Sequence, residues 1–329
     1  MELSAKIYVA GHGGLVGSAL VRNLVSKGYQ NLLLRTHAEL DLTDQQATAA
    51  FFSQQKPEYV FLAAARVGGI LANSNYPADF IRDNLAIQTN VIHAAWQNNV
   101  KRLMFLGSSC IYPRDCAQPI KEEYLLTGPL EASNRPYALA KIAGIEMCWS
   151  YNRQYGTKYL AVMPTNLYGP GDNYDLDTSH VIPALIRKFH EAEKRGDRQV
   201  KVWGTGTPRR EFLYSEDMAN ACLHLMNLPV DDYSRLLGAE AHQALAFDPP
   251  LVNIGCGEDL TIRDLALLIQ DIVGFDGDIV FDKSKPDGTP RKLLDVSKLF
   301  ARGWQPKIDL EAGIGLAYKA YLDRVGETA

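Results

Sequence analysis

The sequence predicts an α/β fold built around a doubly wound parallel sheet, followed by a smaller α/β region. Residues 6–110 alternate short apolar runs with segments of helical period, which is the pattern of consecutive βα units. Each apolar run is long enough for a buried strand and too short for a helix. A glycine-rich turn directly follows the first run, at a position where such sheets often bind a ligand.

We predict one strand at each apolar run and two further strands later in the chain. Their ranges are Ile7–Ala10, Asn31–Leu34, Tyr59–Ala63, Leu103–Gly107, Tyr159–Met163 and Leu251–Ile254. The spacing of apolar residues also predicts helices. Their ranges are Val16–Lys27, Thr43–Gln55, Asn84–Asn98 and Tyr137–Gln154. The segment Pro229–Pro250 has weak periodicity and is predicted to be a loop.

A chain of 329 residues exceeds the usual size of one domain. After Pro164 a turn-rich segment leads into shorter elements with more basic and aromatic residues. We therefore expect a first domain over residues 1–165, to which the chain can return later, and a second domain over residues 166–329.

The amino-acid composition indicates what kind of molecule the protein binds. The 34 basic and 38 acidic residues give a net charge of -4, which is too small and too mixed for binding nucleic acid or an anionic membrane. No apolar stretch approaches the roughly 18 to 20 residues that span a bilayer. We expect a cytoplasmic protein that acts on a small molecule.

The cysteines and histidines predict neither disulfides nor a metal site. The five cysteines are odd in number and lack zinc or redox spacing. The seven histidines are scattered, with no pair four residues apart. Free thiols and the absence of a metal are the expectation.

The turn after the first predicted strand is suited to binding a diphosphate. Gly11 would allow a tight turn, Gly14 a close approach of the backbone to phosphate, and Gly17 close packing of the following helix. The helix N-terminus adds free N–H groups and a positive dipole end. Glycines also occur in ordinary loops, but this position between strand and helix favours a Rossmann-type dinucleotide site. Its predicted residues are Gly11, His12, Gly13, Gly14, Leu15, Val16 and Gly17.

The choice of cofactor is determined near the end of the second strand. NAD sites place a carboxylate there, whereas NADP sites place an arginine against the 2′-phosphate. This chain has Arg35, with His37 as a possible second donor, so NADP(H) is favoured; a solvated surface arginine is the alternative. Asp41 and Leu42 follow, where they would line the adenine pocket.

Three residues predict the chemistry of a reductase. Tyr137 and Lys141 are four apart in a helical segment, so they share a face, and an ammonium there favours the phenolate. The spacing alone is also that of a surface helix pair. Ser108 supports the prediction of a reductase because it comes directly at the carboxyl end of a predicted strand, where open α/β sheets place their catalytic residues. The serine would hydrogen-bond a substrate oxygen, and Tyr137 would exchange a proton with it.

The chain resembles the extended short-chain dehydrogenase/reductases, in which the same glycine pattern, strand-end serine and Tyr-x-x-x-Lys occur in order. It is most similar to the members that convert GDP-4-keto-6-deoxy-D-mannose to GDP-L-fucose. The matching segments span nearly the whole chain: Gly107–Pro113, Met163–Asn173, Ser179–Leu185, Arg209–Phe212 and Ser284–Val296.

The resemblance implies epimerisation at C3 and C5 followed by NADPH-dependent reduction at C4. It implies that Cys110 and His180 move the protons. If the chain stays extended beyond the strand, Cys110 shares the face of Ser108, although most cysteines serve only in packing. His180 precedes an apolar helix, whose N-terminus would disfavour the imidazolium.

The resemblance also assigns binding residues. For the sugar nucleotide they are Lys188, Trp203, Arg210 and Asp287, of which Trp203 could equally be a core residue. Further cofactor contacts are implied at Leu106, Gly107, Ser108, Ser109, Lys141, Pro164, Thr165, Asn166, Leu167 and His180. Bacterial members often have arginine where this chain has Gly13, and some have it at His37, which weakens the NADP preference.

Three alternatives stay open from the sequence. A nucleotide-sugar dehydratase would need an acidic residue after the strand-end hydroxyl, and Ser109-Cys110 has none. A simple 4-epimerase would leave Cys110 and His180 without a role. A non-catalytic NADP-sensing protein would often have lost Tyr137 or Lys141. The resemblance further implies a homodimer formed by the helices at Asn84–Asn98 and Tyr137–Gln154.

Overall fold

The computed structural model describes residues 1–176, 178–238, 248–285 and 287–327. Its strands, in chain order, are β1 (Ile7–Ala10), β2 (Leu32–Leu33), β3 (Tyr59–Leu62), β4 (Arg102–Leu106), β5 (Tyr159–Pro164), β6 (Asn166–Tyr168), β7 (Gln199–Trp203), β8 (Arg209–Arg210), β9 (Phe212–Tyr214), β10 (Leu251–Ile254), β11 (Leu260–Thr261), β12 (Asp278–Asp282) and β13 (Arg291–Lys292).

The helices are α1 (Leu15–Ser26), α2 (Gln45–Gln55), α3 (Ile70–Asn75), α4 (Pro77–Gln97), α5 (Arg135–Tyr155), α6 (Val181–Arg195), α7 (Ser215–Met226), α8 (Val230–Ser234), α9 (Ile262–Val273), α10 (Ser297–Phe300) and α11 (Leu310–Val325). Short 3₁₀ turns lie at Ser109–Ile111 and Glu122–Tyr124.

The central sheet has six parallel strands in the order β10-β5-β4-β3-β1-β2. One face packs on α2, α4 and α5 through residues such as Phe52, Val91 and Ile145. The other face packs on α1 and α7 through residues such as Leu20 and Met218. Helices cover both faces, so the prediction of a doubly wound sheet is confirmed.

The order of the strands reverses between β1 and β3, and open α/β sheets bind ligands in the crevice at such a point. Gly11 follows β1 there. A Cβ atom on Gly11 would lie 2.7 Å from backbone atoms of Ala64, which follows β3. The two strand ends therefore approach each other closely at the mouth of the crevice.

The later part of the chain forms three small sheets, with strand orders β11-β8-β13, β12-β7 and β6-β9. A separate apolar cluster joins α6, α9 and α11 through Ile186, Phe189, Leu265, Ile269 and Ile314. Two elements from this part, β10 and α7, rejoin the central sheet and its helical layer.

The predicted strands and helices all exist, but several ends differ. Helix α4 begins at Pro77 rather than Asn84, because proline suits the first turn of a helix. Asn84 is buried inside this helix, where its amide donates to the Phe80 carbonyl and interrupts the apolar pattern. The predicted loop Pro229–Pro250 contains the short helix α8, and residues 239–247 of it lie outside the described residues.

Within the described ranges, no helix has the length and apolar content needed to cross a bilayer. The same residues contain no group of three or more His, Cys, Asp and Glu side chains that could hold a metal ion. All five cysteines are free thiols.

Candidate active site

The glycine turn between β1 and α1 is shaped by close backbone contacts. Gly11 has φ 80°, in the left-handed region that favours glycine, and its carbonyl accepts from the Gly14 N–H at 3.1 Å. A Cβ atom on Gly17 would lie 2.0 Å from the Gly11 carbonyl oxygen. Both glycines are therefore required by geometry, whereas a Cβ atom on Gly13 would meet open space.

The same turn fits a dinucleotide diphosphate. Helix α1 has no acidic residue in its first turn, and its N-cap, Gly14, provides no side-chain cap. The first N–H groups of the helix are thus open to an anion. Within the described residues, Nδ1 of His12 is buried and has no hydrogen-bond partner. Leu15 and Val16 start the helix directly behind this cradle.

Arg35 stands just beyond the end of β2. Its guanidinium donates to the Leu34 carbonyl at 2.8 Å and lies 5.7 Å from the ring centre of Phe51. His37 is exposed, and its Nδ1 lies 3.8 Å from the carboxylate of Asp41. Leu42 is buried in the apolar cluster beneath α2 and α4. Arg35 is therefore a cation held in place by a hydrogen bond and a ring contact, whereas His37 lies in solvent beside Asp41.

Apart from Lys141 and His180, the other predicted cofactor residues lie at the carboxyl ends of β4 and β5, which are neighbours in the sheet. They are Leu106, Gly107, Ser108 and Ser109 at and after the end of β4, and Pro164, Thr165, Asn166 and Leu167 at and after the end of β5. A Cβ atom on Gly107 would lie 1.8 Å from Cε of Met163, so a larger residue here would require the Met163 side chain to move. We call Gly11–Gly17, Arg35 and Leu106–Ser109 the cofactor half of the cleft.

Tyr137 and Lys141 share one face of α5, as predicted. Pro136 occupies the first turn of the helix. The amine of Lys141 donates to the Leu106 carbonyl at 2.9 Å and lies 5.7 Å from the ring centre of Tyr137. The ring of Phe80 meets that of Tyr137 edge to face, with centroids 6.3 Å apart. The pair is thus fixed at the end of β4.

The electrostatics of Tyr137 differ from our expectation. Burial raises the pKa of Tyr137 well above its ordinary value, and Cys110 acts in the same direction. Burial also lowers the pKa of Lys141 to about 8. The net shift is therefore opposite to the one expected for Tyr137, because desolvation of its ring dominates. Tyr137 is protonated at neutral pH.

The segment after β4 is also different from the prediction. The chain does not stay extended: Ser108 is extended, but a 3₁₀ turn follows at Ser109–Ile111. The Ser108 hydroxyl accepts from the Cys110 N–H at 3.4 Å and so caps the turn. Cys110 therefore reaches the site through this turn rather than by strand alternation.

Cys110 is almost fully buried. Burial raises the pKa of the Cys110 thiol. The positive charge of Lys292 opposes that rise most strongly, followed by the Ser108 hydroxyl and Lys141. Cys110 also raises the pKa of Tyr137, so the thiol and the phenol belong to one site.

His180 is the N-cap residue of α6 and makes no side-chain cap. Part of the residue is exposed, but the protein desolvates its ring and lowers its pKa. Lys292 acts in the same direction. The predicted neutral imidazole agrees with this shift, although burial and Lys292 are its causes.

The four residues predicted for the sugar nucleotide come together in the structure. The amine of Lys188 lies 5.3 Å from the ring centre of Trp203, which is 51% exposed and so is not a core residue. Both carboxylate oxygens of Asp287 accept from Thr205. Arg210 donates to the Asp287 carbonyl at 3.5 Å. We call Lys188, Trp203, Arg210 and Asp287 the basic cluster.

Two residues of the site were missed by sequence reasoning. Lys292 lines a cavity of about 50 Å³ together with Cys110. Glu211 is fully buried, and its carboxylate accepts from the N–H groups of Gly257 at 2.7 Å and Leu294 at 3.0 Å. Both lie in segments that carry the resemblance, Arg209–Phe212 and Ser284–Val296, and that was the available signal.

Glu211 connects distant parts of the cleft. Its backbone carbonyl accepts from the side chains of Thr165 at 3.0 Å and Asn166 at 2.8 Å. Through its carboxylate it also holds the chain two residues beyond Lys292. Glu211 therefore forms hydrogen bonds both with the end of β5 and with the segment that follows β13.

Known proteins resemble this chain along almost its whole length. A model of the NAD dependent epimerase/dehydratase family matches residues 7–235. GDP-L-fucose synthase 1 of Arabidopsis thaliana is 56% identical over 324 residues, covering 98% of this chain and 95% of that protein. GDP-L-fucose synthase of Escherichia coli (strain K12) is 53% identical over 322 residues, covering 97% of each.

A solved structure agrees with the fold. The GDP-mannoheptose C4 reductase of Campylobacter jejuni, with NADP bound, is 44% identical and has a TM-score of 0.87, covering 98% of this chain and 99% of that one. The family match includes the glycine turn, the 3₁₀ segment with Cys110, and Tyr137 with Lys141. The chain therefore belongs to the NAD dependent epimerase/dehydratase family, within the extended short-chain dehydrogenase/reductases.

Proposed function

We propose that this enzyme converts GDP-4-keto-6-deoxy-D-mannose to GDP-L-fucose, first by inverting C3 and C5 and then by reducing C4. The cofactor is NADP(H). One observation carries the proposal: a reductase set of Ser108, Tyr137 and Lys141 shares its site with the thiol of Cys110. Two relatives above 50% identity that are named GDP-L-fucose synthase support the same reaction.

The epimerisation needs two groups that exchange protons with carbon. The ketone at C4 acidifies the protons on C3 and C5, and inversion requires removal from one face and delivery to the other. Cys110 and His180 serve as these groups. Neither is held in an ion pair with a carboxylate among the described residues, so each is free to change its protonation state.

The reduction uses the hydroxyl and the phenol. When bound, NADPH supplies the hydride that C4 receives. Ser108 donates a hydrogen bond to the C4 oxygen, and Tyr137 gives that oxygen a proton. Tyr137 carries a proton at neutral pH, so it has one to give to that oxygen. Lys141, held on the Leu106 carbonyl, lies one helical turn away and replaces the proton.

The basic cluster binds the nucleotide end of the substrate. Arg210 and Lys188 provide positive charge for the diphosphate, one as a fork and one as a point charge. The exposed ring of Trp203 provides a surface for stacking. Asp287 fixes the turn beside Arg210 through its bonds to Thr205.

The test is incubation with GDP-4-keto-6-deoxy-D-mannose and NADPH in deuterated water, with identification of the product by NMR. GDP-L-fucose labelled at C3 and C5 is expected. Cys110→Ser should abolish labelling, whereas Tyr137→Phe should keep labelling and slow hydride transfer by roughly 100- to 10,000-fold. Reduction without any labelling would make the enzyme a simple C4 reductase. NADPH binding without turnover would favour a sensor.

We also propose a homodimer formed by α4 and α5. These helices present an aromatic group in which the rings of Trp96 and Tyr155 stack with centroids 4.2 Å apart. Leu139 and Tyr155, each 44% exposed, extend this surface. A monomeric mass by light scattering at micromolar protein would contradict the assignment.

Two further assignments remain proposals. We assign residues 1–165 to NADP binding and residues 166–329 mainly to substrate binding; the first part supplies five of the six strands of the central sheet, and β10 crosses back. We also assign the protein to the cytoplasm. Five free thiols support a reducing compartment, and cell fractionation would test it.

A further inference from the structure

We propose that Lys292 is a positioning residue for the epimerisation: its ammonium shares a cavity with Cys110 and stabilises the thiolate that takes protons from the substrate carbons. This inference rests on the proposed function. Lys292 belongs to neither the reductase set nor the basic cluster, and it comes from the far end of the chain.

The pairing of two short strands directs Lys292 into the site. Strands β8 and β13 are parallel, with Arg209 opposite Arg291 and Arg210 opposite Lys292. Arg209 and Arg291 both bind the carboxylate of Asp259, at 2.9 and 2.5 Å. Because side chains alternate along a strand, Arg210 and Lys292 face the opposite side, toward the cleft.

Lys292 and Cys110 line the same cavity of about 50 Å³. Glu131 and Asn134, from the segment that leads into α5, line it as well. Arg114 and Arg291 also line it, but each is paired with a carboxylate, that of Asp115 and that of Asp259 respectively. Glu131 is occupied in accepting from Ser133 and from the Asn134 N–H. Among the described residues, the amine of Lys292 has no ion pair and no hydrogen bond. Its charge is therefore available to an anion that forms inside the cavity.

The charges around the cavity agree with this role. Burial lowers the pKa of Lys292, Arg210 adds to that effect, and Cys110 opposes it most strongly. Cys116 and Glu131 also favour its charged form. In return, Lys292 is the leading charge that lowers the pKa of Cys110, ahead of Lys141.

Lys292 affects the two proton carriers differently. It stabilises the Cys110 thiolate, and it disfavours the imidazolium of His180. A protonated His180 is consequently a stronger acid. Lys292 therefore lowers the pKa of both groups, and its favourable effect in this scheme is on the Cys110 thiolate.

The proton transfers balance as follows. The Cys110 thiolate takes the proton from carbon, and the C–H electron pair moves into an enolate with its negative charge on the C4 oxygen. His180 as imidazolium then delivers a proton to the opposite face and restores the ketone. A proton passes from the Cys110 thiol to the His180 imidazole through solvent before the next inversion.

The first experiment measures the ionisation of Cys110 without substrate. The full-length protein is alkylated with iodoacetamide across a range of pH, and modification at Cys110 is followed by mass spectrometry, which separates it from Cys116. In Lys292→Met the midpoint should move upward by roughly one pH unit or more, so that alkylation near neutral pH slows about tenfold. Lys292→Arg should restore the midpoint.

Lys283→Met is the matched control, because Lys283 is an exposed lysine of the preceding turn. It should leave the midpoint unchanged. Equal melting temperatures and NADPH binding would show that Lys292→Met is folded. A purely structural role for Lys292 would leave the Cys110 midpoint where it is in the wild type, and that result overturns the inference.

The second experiment measures deuterium exchange at C3 and C5 of the substrate. Lys292→Met should slow exchange about tenfold or more at neutral pH, and raising the pH should recover part of the loss. Unchanged exchange in Lys292→Met would also overturn the inference. If the wild type itself fails to exchange, the proposed function is wrong, and the alkylation profile still decides whether Lys292 controls Cys110.

Discussion

The cofactor half of the cleft and the basic cluster are built in different ways. The cofactor half comes from short segments that follow β1, β2 and β4 of one sheet, all within the first third of the chain. The basic cluster gathers single side chains from α6, β7, β8 and the turn before β13. One half is defined by backbone shape, and the other by side chains that converge from separate elements.

This difference predicts how each half responds to substitution. At Gly11, Gly17 and Gly107 a single added carbon would meet neighbouring atoms closer than 3 Å. In the basic cluster, by contrast, Trp203 is more than half exposed, and its contacts are with flexible lysines. Substitutions at Gly11 and Gly17 of the cofactor half, where the close atoms are backbone, should therefore have larger effects than substitutions in the basic cluster.

The largest effect is expected for Gly17→Ala. The new Cβ atom would overlap the Gly11 carbonyl oxygen, and overpacking of about 1 to 3 kcal/mol or more corresponds to roughly 10- to 100-fold weaker NADPH binding. Gly315→Ala, in open space on α11, is the control and should bind NADPH normally. Fluorescence titration measures both. Normal affinity in Gly17→Ala would mean that the turn yields more easily than its contacts indicate.

Glu211→Gln tests the buried residue that links the end of β5 to the segments at Gly257 and Leu294. The amide cannot accept from both Gly257 and Leu294, so a loss of about 1 to 3 kcal/mol in unfolding free energy is expected. Burial raises the pKa of Glu211, so ionisation of its carboxyl group disfavours folding, and this cost grows as the pH rises above the ordinary pKa of glutamate. The stability difference between wild type and variant should therefore narrow from pH 5 to pH 8. Urea unfolding measures it, and a gap that widens with pH would contradict the sign.

Trp203→Ala should affect only the basic cluster. Loss of a stacking surface is worth about 1 to 3 kcal/mol, so KM for the sugar nucleotide should rise roughly tenfold. The Kd for NADPH should stay unchanged. Val280→Ala, an exposed apolar residue on the paired strand β12, is the matched control. A parallel loss of NADPH affinity would show that the two halves are coupled through this strand.

The smallest effect is expected for Asp259→Asn, which removes the carboxylate shared by Arg209 and Arg291. Burial opposes ionisation, but hydrogen bonds from both guanidinium groups lower the pKa of Asp259. Its contribution is therefore present near pH 7 and lost as pH falls below about 4. Since both arginines are more than 40% exposed, we expect about 1 kcal/mol.

Asp276→Asn, at an exposed aspartate, is the control for that change. Urea unfolding at pH 7 and at pH 3 measures the difference from the wild type. If the destabilisation of Asp259→Asn were the same at both pH values, the shared ion pair would not be its cause.

The sequence predicted those parts of the molecule that depend on local pattern. The strands and helices could be predicted because apolar residues form short runs in the strands and recur with helical spacing in the helices. The glycine turn could be predicted because its three glycines lie between a strand and a helix. Tyr137 and Lys141 were placed together by helical spacing alone. The roles of these residues, and the division near residue 165, stay predictions.

Features that depend on long-range packing were not predictable. The turn that carries Cys110 depends on a hydroxyl cap, and the raised pKa of Tyr137 depends on desolvation by residues from other segments. The side on which Lys292 lies is determined by the pairing of β8 with β13. Each of these strands has two residues, which is too short for an alternating pattern to be recognised in the sequence. Exposure of Trp203 likewise follows from the alternation in β7, where its neighbours Val200 and Val202 are buried.

The hydrogen bonds of Glu211 have a consequence for the order in which parts of the protein can fold during synthesis. Glu211 leaves the ribosome well before Gly257 and Leu294, the two residues that its carboxylate binds. Until those two residues have emerged, the Glu211 carboxylate lacks these hydrogen bonds, and burying it in the core would cost free energy. The cofactor turn can form early in synthesis, but the cleft closes only when nearly the whole chain has emerged.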